Sequence, residues 1–586
     1  MDYKLSTAAP AGKGRTLLSA ARTLAPLLRE ERSNIAIAVV CVIISSAASL
    51  LGPALIARVI DTAIARGDYG LLLRYAGLLA VVYVIALGSS YTQTIRMGTA
   101  GRNLLFRLRN QLFTRLSNLP IAFFAQNRAG DLISRVNSDT DKINQFFAQA
   151  LMQFFGNGFL ILGAGILLLT LNWRLGIAAL IPALAILGIT RAISPWVKRT
   201  NRKGLESLGA LSGDISESLS NFKVIVAFNR VDYFREKFDL ANQRNYRASI
   251  AAGISSGVFM PLYTLAGAAA SILVLAYGVK LIGGGALTIG VLIGYLLYVT
   301  AFYNPLRQLA AVWSSLQMAM AALDRVHEVL GLETDLVAVP DAPAGAPGAL
   351  LAFDGVSFNY PGGKNVLENV SLILERGKTY ALVGPTGGGK TTTAMLMARL
   401  YDPGSGAVYL DGRDIRAFTP AERAVKIGFI LQEPFLFSGT VRDNIAYGQA
   451  DMAALTDEEL TKRLKASGLA DFLDRFSEGL ATPVNAGQDT LSLGQKQLVA
   501  FLRAVLRQPE ILILDEATAN IDTVTEQLLE EVLDRLPKAT TKVIIAHRLN
   551  TIRNADSIFF VGGGALTEAG SMQHAMDMLL SAKRTS

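Results

Sequence analysis

Apolar residues are unevenly distributed along this chain, and their pattern predicts six membrane-spanning helices. Each of six stretches in the first half is apolar and nearly free of charge. At about 1.5 Å per residue, most of them approach the length at which a helix crosses an apolar bilayer core of about 30 Å. They cover Asn34–Ala57, Tyr75–Tyr91, Phe146–Leu171, Leu175–Ile189, Ile250–Val279 and Leu287–Tyr303.

Basic residues are concentrated in two of the segments between these stretches, after the second stretch and after the fourth. Positively charged connections favour the cytoplasmic side, so both termini are expected there. The first basic segment also carries leucines at helical spacing, namely Leu104, Leu105, Leu108, Leu112 and Leu116. This periodicity favours helices that continue beyond the membrane over solvated loops.

The second half of the chain differs in composition and in the pattern of its apolar residues. The segment Asp335–Gly348 is rich in proline, alanine and glycine and is typical of a linker. From Leu351 onward, short apolar strands alternate with glycines and amphipathic helices, as in soluble α/β domains. We therefore predict a transmembrane domain over residues 1–333, a linker over residues 334–350 and an α/β domain over residues 351–586.

Composition and charge support this division. Hydrophobic residues make up 51% of the 586-residue chain and charged residues only 18%, and the net charge is +9. Because many basic residues fall in the predicted cytoplasmic segments, the excess indicates membrane orientation, and no nucleic-acid partner is expected. The single cysteine, Cys41, excludes an intrachain disulfide and a cysteine-based zinc cluster.

A glycine-rich segment in the α/β domain fits the phosphate-binding pattern G-x-x-x-x-G-K-[ST] at every fixed position. An apolar strand, Tyr380–Val383, precedes it, and a predicted helix, Thr392–Leu400, follows it. In this context the backbone amides cradle phosphates, the lysine neutralises the β- and γ-phosphates, and the final threonine binds Mg²⁺. The segment consists of Gly384, Pro385, Thr386, Gly387, Gly388, Gly389, Lys390 and Thr391.

A second apolar strand, Ile511–Leu514, ends in two acidic residues. A strand that delivers a carboxylate beside a phosphate-binding loop commonly holds Mg²⁺, so Asp515 is predicted to serve the metal. Glu516 is then placed to orient and deprotonate the attacking water. The alternative, an acidic turn without metal, is disfavoured by Lys390 in the same domain.

The segment between these two motifs contains a predicted helix, Lys496–Leu506, whose start carries Ser492 and Gly494. A helix start with a hydroxyl and bare backbone can hold a phosphate. Taken alone, the same residues are more typical of an ordinary capped helix.

Together, the glycine-rich loop, the Leu491-Ser492-Leu493-Gly494-Gln495 segment and the Ile-Leu-Asp-Glu strand resemble the nucleotide-binding domain of ABC transporters. The six preceding stretches resemble an exporter-type half-transporter. The resemblance implies a six-helix α-helical transmembrane domain fused to an α/β P-loop nucleotide-binding domain. It covers nearly the whole chain.

The resemblance also implies roles for individual residues. Tyr360 matches the aromatic residue that stacks on adenine, although a core tyrosine is the alternative. Gln432 matches the glutamine that senses Mg²⁺ and the γ-phosphate, and His547 matches the switch histidine at that phosphate. Thr392 and Gln495 complete the set of implied nucleotide contacts.

The resemblance implies a dimer. In this family the signature segment, here Leu491–Gln495, completes the ATP site of the other subunit, and one chain has one phosphate-binding loop and one such segment. With ATP and Mg²⁺, this homodimer is expected to export or flip an amphipathic, lipid-like or drug-like compound. The expected location is a bacterial inner membrane, with membrane lipids around the spans and the nucleotide-binding domain in the cytoplasm. An importer and an ATP-gated channel remain open as alternatives. A chromosome-type ATPase is excluded, because it needs a long coiled-coil insertion between Lys390 and Ser492.

Two further expectations concern the transmembrane domain. The family's cytoplasmic coupling turns are expected near Asn137–Asp141 and Ser216–Lys223. Several polar residues lie inside the predicted spans and either line a substrate path or join helices to each other. They are Gln149, Gln153, Asn157, Tyr263, Tyr295 and Tyr298.

Overall fold

The structure is a computed structural model that describes residues 3–5, 29–333, 336, 339, 348–485, 491–515, 523–545 and 555–585. The chain forms two compact units. The helical unit comprises Leu5–Ser117 and Ala129–Gly331. The sheet-containing unit comprises Met1–Lys4, Asn118–Arg128 and Leu332–Ser586.

Between residues 29 and 333 all regular secondary structure is helical, and short turns or loops join the helices. Short π-helical stretches extend the first helix (Ile60–Ile64) and connect α4 to α5 (Arg135–Asp139) and α5 to α6 (Phe146–Ala150). The α-helices are α1 (Arg32–Val59), α2 (Tyr69–Ser117), α3 (Ile121–Gln126), α4 (Ala129–Ser134), α5 (Thr140–Gln145), α6 (Leu151–Leu171), α7 (Trp173–Ser220), α8 (Phe222–Ala227), α9 (Val231–Gly257), α10 (Phe259–Gly283) and α11 (Ile289–Leu330).

Six helical stretches of the described residues are long and apolar enough to cross a membrane, which confirms the predicted number of spans. Helices α2 and α7 contain 49 and 48 residues. At about 1.5 Å per residue each is about 70 Å long, more than twice the thickness of a bilayer core. The prediction that the basic segments continue as helices is therefore confirmed. The stretches are Arg32–Ile64, Tyr69–Ser117, Ala129–Leu171, Trp173–Ser220, Val231–Gly283 and Ile289–Leu309.

The leucine periodicity in α2 produces one buried face. Leu104, Leu108 and Leu112 lie four residues apart and are almost completely buried. Residues at this spacing share one side of an α-helix, so burying that side against neighbouring helices stabilises the extension.

Two of the polar residues inside the spans join helices to each other. The Tyr295 hydroxyl donates to the Asn172 carbonyl oxygen over 2.9 Å. The Tyr298 hydroxyl donates to the Leu50 carbonyl oxygen over 2.8 Å. Both tyrosines are buried, so their role in helix packing accounts for them.

The sheet-containing unit is built on a six-stranded sheet with the order β12-β11-β3-β10-β9-β6, in which only β12 is antiparallel. A four-stranded antiparallel sheet has the order β2-β1-β4-β5, and β7 pairs with β8. The strands are β1 (Leu351–Asn359), β2 (Asn365–Leu374), β3 (Thr379–Val383), β4 (Ser405–Leu410), β5 (Arg413–Asp414), β6 (Ile427–Ile430), β7 (Gly439–Thr440), β8 (Pro483–Val484), β9 (Ile511–Asp515), β10 (Thr541–Ile545), β11 (Ser557–Gly562) and β12 (Ala565–Glu568).

Helices accompany these strands and complete the α/β architecture that the sequence predicts. One apolar core lies among the strands, and a second is formed mainly by the helices between β6 and β10. The helices are α12 (Lys390–Met397), α13 (Pro420–Lys426), α14 (Val441–Ile445), α15 (Ala450–Ala453), α16 (Asp457–Ala466), α17 (Leu493–Val505), α18 (Thr523–Asp534) and α19 (Met572–Thr585).

The expected position of the first coupling turn is wrong. The segment that belongs to the sheet-containing unit is Asn118–Arg128, which includes α3, whereas Asn137–Asp141 lies in the helical unit. Pro120 directly precedes α3, and proline disfavours the helical conformation of the residue before it, so α2 ends there. The second expected turn does occur, because α7 ends at Ser220 and α8 begins at Phe222.

The described residues at the N-terminus are fixed beside α3. The side chain of Tyr3 is buried, and its ring meets Phe123 edge-on at 6.3 Å. The Tyr3 amide donates to Gln126 Oε1 over 2.9 Å, and its hydroxyl donates to the Glu333 carbonyl oxygen over 3.2 Å. The Asn127 side chain donates to the Tyr3 carbonyl oxygen over 2.9 Å. Tyr3 therefore joins α3 to the segment that follows α11.

Candidate functional site

The glycine-rich loop connects the buried strand β3 to the start of α12. Gly384 has a φ of +155°, and a Cβ at this position would overlap the carbonyl oxygen of Val561 in β11. A Cβ on Gly388 would lie 2.6 Å from the same oxygen. Gly389 starts α12 with a φ of +105°. The loop is therefore pressed against β11 in a shape that requires glycine.

The Lys390 side chain closes this loop. It is 6% exposed, and its Nζ donates to the carbonyl oxygens of Gly384 and Pro385 over 2.9 and 3.0 Å. The ammonium group is thus held against the loop, beside the backbone that the sequence predicts to hold phosphates. Thr386 and Gly387 form the exposed turn of the same loop.

The structure brings Thr391 and Asp515 together. Thr391 lies in the first turn of α12, and its hydroxyl donates to Asp515 Oδ1 over 3.1 Å. Asp515 ends β9 and is 3% exposed. A hydroxyl and a carboxylate oxygen are the hard ligands that Mg²⁺ prefers, so this pair fits the metal that the resemblance implies.

Tyr360 lies beside the same helix. Its hydroxyl forms a 3.0 Å hydrogen bond with Thr392 Oγ1. Its ring meets Phe358 and Tyr401 edge-on, at 5.0 and 5.5 Å. Burial raises the pKa of the Tyr401 hydroxyl above its ordinary value. Tyr360 is only partly buried, so both a core role and a ring contact with adenine fit its position.

Ser492 and Gln495 form the start of α17. The Gln495 amide donates to Ser492 Oγ over 3.2 Å, and the Ser492 amide donates to Gln495 Oε1 over 2.9 Å. Gln495 Nε2 also donates to the Arg475 carbonyl oxygen over 2.7 Å. Gly494 is buried behind this cap, whereas Ser492 is exposed. These bonds place the segment at the start of its own helix and leave one side of Ser492 open.

The remaining predicted residues follow the ends of neighbouring strands. Strands β9 and β10 are parallel, with Asp515 paired to Ile545 at their ends. Glu516 and His547 come shortly after these positions in sequence and lie outside the described residues. Gln432 is exposed and follows β6, which pairs with β9.

Sequence reasoning missed two residues that shape this site. Val561 presents a backbone carbonyl to the loop, and no sequence pattern marks a carbonyl on a distant strand. Tyr401 packs against Tyr360, and its only sequence signal is that it follows the apolar run of α12.

Two family profiles match the chain. The profile described as "ABC transporter transmembrane region" matches residues 35–306, and the profile described as "ABC transporter" matches residues 367–519. The first range contains the six-helix region up to the middle of α11, and the second contains the glycine-rich loop, α17 and β9.

Curated relatives align over most of the chain. The "Fatty acid ABC transporter ATP-binding/permease protein" of Mycobacterium tuberculosis is 31% identical over 86% of this chain and 79% of its own length. The "Multidrug resistance ABC transporter ATP-binding and permease protein" of Lactococcus lactis is 30% identical over 84% of each chain. The mouse protein "ATP-binding cassette sub-family B member 10, mitochondrial" is 30% identical over 97% of this chain and 80% of its own length.

Proposed function

The chain belongs to the ABC transporter family, and from this premise we propose that it is an ATP-driven exporter or flippase that works as a homodimer. The hydrogen bond between Thr391 and Asp515 carries the proposal, because it joins the two motifs that ATP hydrolysis requires. The same chain provides six candidate spans, which supports coupling of that reaction to transport. The names of two relatives, which refer to multidrug resistance and to fatty acids, favour an amphipathic or drug-like substrate.

Each site residue has a defined task in this proposal. Lys390 exchanges the carbonyls of its loop for the β- and γ-phosphates. Thr391 and Asp515 hold Mg²⁺, which neutralises phosphate charge when bound, and Gln432 senses it. Glu516 orients and deprotonates the attacking water, and His547 contacts the γ-phosphate.

The position of Ser492 supports the dimer. The Ser492 hydroxyl accepts a hydrogen bond from the Gln495 amide at the start of α17, and the exposed side of Ser492 is open to a second subunit. Two chains together would form two composite sites, each with one loop and one signature segment. ATP binding would favour the state in which the nucleotide-binding domains are closed, and hydrolysis would reverse that shift.

The proposal can be tested with purified protein in proteoliposomes. We expect ATP hydrolysis to require Mg²⁺ and to be stimulated by lipids or drugs from a candidate panel. The rate per protein molecule should rise with protein concentration as dimers form. Uptake of the stimulating compound into inside-out vesicles against a gradient would establish export. Movement in the opposite direction would favour an importer, passive ion flow would favour an ATP-gated channel, and full activity of a lone protomer would contradict the proposal.

Substitution of Tyr360 separates its two roles. Tyr360→Ala is expected to raise KM for ATP by about 3- to 10-fold, the equivalent of one aromatic contact, with kcat little changed. Tyr360→Phe, which keeps the ring and loses the hydroxyl contacts with Thr392 and the Met395 sulfur, should keep KM near its original value. Steady-state kinetics over a range of ATP concentrations would measure both. An unchanged KM in Tyr360→Ala would assign the residue to the core alone.

Substitution of Ser492 separates capping from nucleotide contact. Ser492→Ala is expected to lower stability by about 1 kcal/mol through loss of the cap, whereas Ser492→Asp retains a capping oxygen. Both should lower ATP turnover, because alanine removes the phosphate contact and aspartate repels the phosphate. Thermal melting and ATPase assays would measure the two effects.

Thr456 provides the matched control, because it caps α16 with the same reciprocal bonds to Glu459. Thr456→Ala should cost similar stability and leave turnover nearly unchanged. Equal losses of turnover in the Thr456 and Ser492 variants would show that capping alone explains the effect.

A further inference from the structure

A small cavity lies between α10 and α11, within the fifth and sixth candidate spans. Its volume is about 260 Å³. This is slightly below the range of about 300–1,000 Å³ that encloses drug-sized ligands, so the cavity suits a head group whose tail lies outside it.

Small residues form part of one wall of the cavity, and a hydrogen bond anchors a residue of the other wall. Gly267 and Ala268 form part of the α10 wall. A Cβ on Gly267 would lie 3.4 Å from Tyr303 Cβ, so a larger residue would begin to crowd the space. The Tyr303 hydroxyl donates to the Ala179 carbonyl oxygen over 2.8 Å, which holds the opposite wall in place. Small residues and one anchored tyrosine therefore form these two walls.

The hydroxyl groups around the cavity are already used as donors. Thr264, Ser271 and Thr300 donate to carbonyl oxygens of their own helices over 2.9, 2.9 and 3.1 Å. Asn304 and Arg307 also line the cavity, three residues apart on α11 and thus on one helix face. No hydrogen bond or ion pair engages either side chain within the part of the chain that the structure describes. The cavity therefore presents an amide and a guanidinium as unused donors.

Arg307 lies at the end of the sixth stretch. It precedes the last residue of that stretch, Ile289–Leu309, by two residues and follows the end of the span predicted from the sequence, Tyr303, by four. At the edge of an apolar span, a charged group is stabilised by pairing with an anion or a polar group. A guanidinium binds carboxylates and phosphates through two parallel hydrogen bonds.

We propose that this cavity binds the acidic head group of an amphipathic substrate, either a carboxylate or a phosphate monoester, through Arg307 and Asn304. The inference rests on the proposed transport function and narrows its substrate to anionic amphiphiles. The acyl chain would remain among the lipids, where no polar group has to be satisfied. A neutral or cationic amphiphile would leave the arginine unpaired and bind more weakly.

The test is stimulation of ATP hydrolysis in proteoliposomes by four compounds that share the hydrocarbon chain of oleic acid. Oleate supplies a carboxylate, oleoyl lysophosphatidic acid supplies a phosphate, monooleoylglycerol is neutral and oleylamine is cationic. The unmodified protein should respond to one or both anions at concentrations at which the other two have little effect. The stronger of the two anionic responses identifies the head group.

Variants then locate the response. Arg307→Gln should raise the half-stimulating concentration of the anion by about 10-fold or more, because a charge-assisted pair is lost. Arg307→Lys should restore only part of the affinity, since lysine cannot form the two parallel bonds. Ala268→Leu should weaken the response by filling the cavity, whereas Ala269→Leu, which does not line it, should not.

Arg191→Gln is the control for charge at the end of another span, because Arg191 is exposed on α7. It should leave the response unchanged. An equal effect of Arg191→Gln and Arg307→Gln would overturn the proposal in favour of general attraction of anions. So would an unchanged response in both Arg307→Gln and Ala268→Leu. These results would leave the transport function intact, whereas absence of Mg²⁺-dependent ATP hydrolysis in the unmodified protein would refute that function itself.

Discussion

Replacing Glu516 with glutamine is expected to lower steady-state ATP hydrolysis by about 100-fold or more, the usual contribution of a general base. Glutamine keeps the size of the side chain and can still form hydrogen bonds to water, but it cannot accept a proton from it. The bond between Thr391 and Asp515, one residue earlier, does not involve the substituted group. Nucleotide binding should therefore persist while turnover stops.

The measurement combines phosphate release with size-exclusion chromatography of the detergent-solubilised variant. With ATP and Mg²⁺, Glu516→Gln should elute as a dimer with bound nucleotide, because hydrolysis no longer reopens the nucleotide-binding domains. Glu530→Gln, an exposed acidic position on α18, is the control and should hydrolyse ATP normally. Normal hydrolysis by Glu516→Gln would refute the assignment of the base.

Replacing Gly384 with alanine is expected to lower kcat/KM for ATP by on the order of 100-fold, the effect of displacing a reacting group by about 1 Å. The added methyl group would overlap the Val561 carbonyl oxygen, which belongs to the backbone of β11 and cannot rotate away. The loop must therefore move off β11. Its carbonyl groups hold Lys390, so the lysine should move with it.

Gly387→Ala is the matched control for this effect. Gly387 also has a positive φ, +80°, but nothing lies within 4 Å of the position where its Cβ would be. This variant should incur only the conformational penalty of about 1–2 kcal/mol for an L-residue in that region. ATPase kinetics and thermal melting of both variants would separate the two causes. Equal losses of kcat/KM in Gly384→Ala and Gly387→Ala would show that contact with β11 is not what requires glycine at position 384.

Local patterns were sufficient for much of this structure. The spans follow from continuous apolar runs, and the extension of α2 follows from the four-residue spacing of Leu104, Leu108 and Leu112. The strand before the glycine-rich loop and the helix after it follow from short-range context. The pairing of Thr391 with Asp515 was anticipated from two motifs. One motif places Thr391 at the start of the helix after a strand and loop, and the other places Asp515 at the end of a strand.

Features that depend on distant parts of the chain were not predictable in this way. The carbonyl of Val561 shapes the loop only because β11 lies next to β3 in the sheet. The first coupling turn was misplaced because its position near Asn137–Asp141 was taken from the family resemblance, whereas this chain remains helical there. The cavity beside Arg307 depends on how α10 meets α11, which periodicity within either helix does not determine.

The fixed position of Tyr3 affects how the protein should be engineered. A purification tag or fluorescent protein fused directly before Met1 would leave only two residues between the fusion and the buried ring. A bulky group so close to Tyr3 would compete for the space beside Phe123, and displacement of Tyr3 would break its bond to the Glu333 carbonyl. Expression vectors with the tag behind α19, or with a long flexible spacer ahead of Met1, would keep this contact in the purified sample.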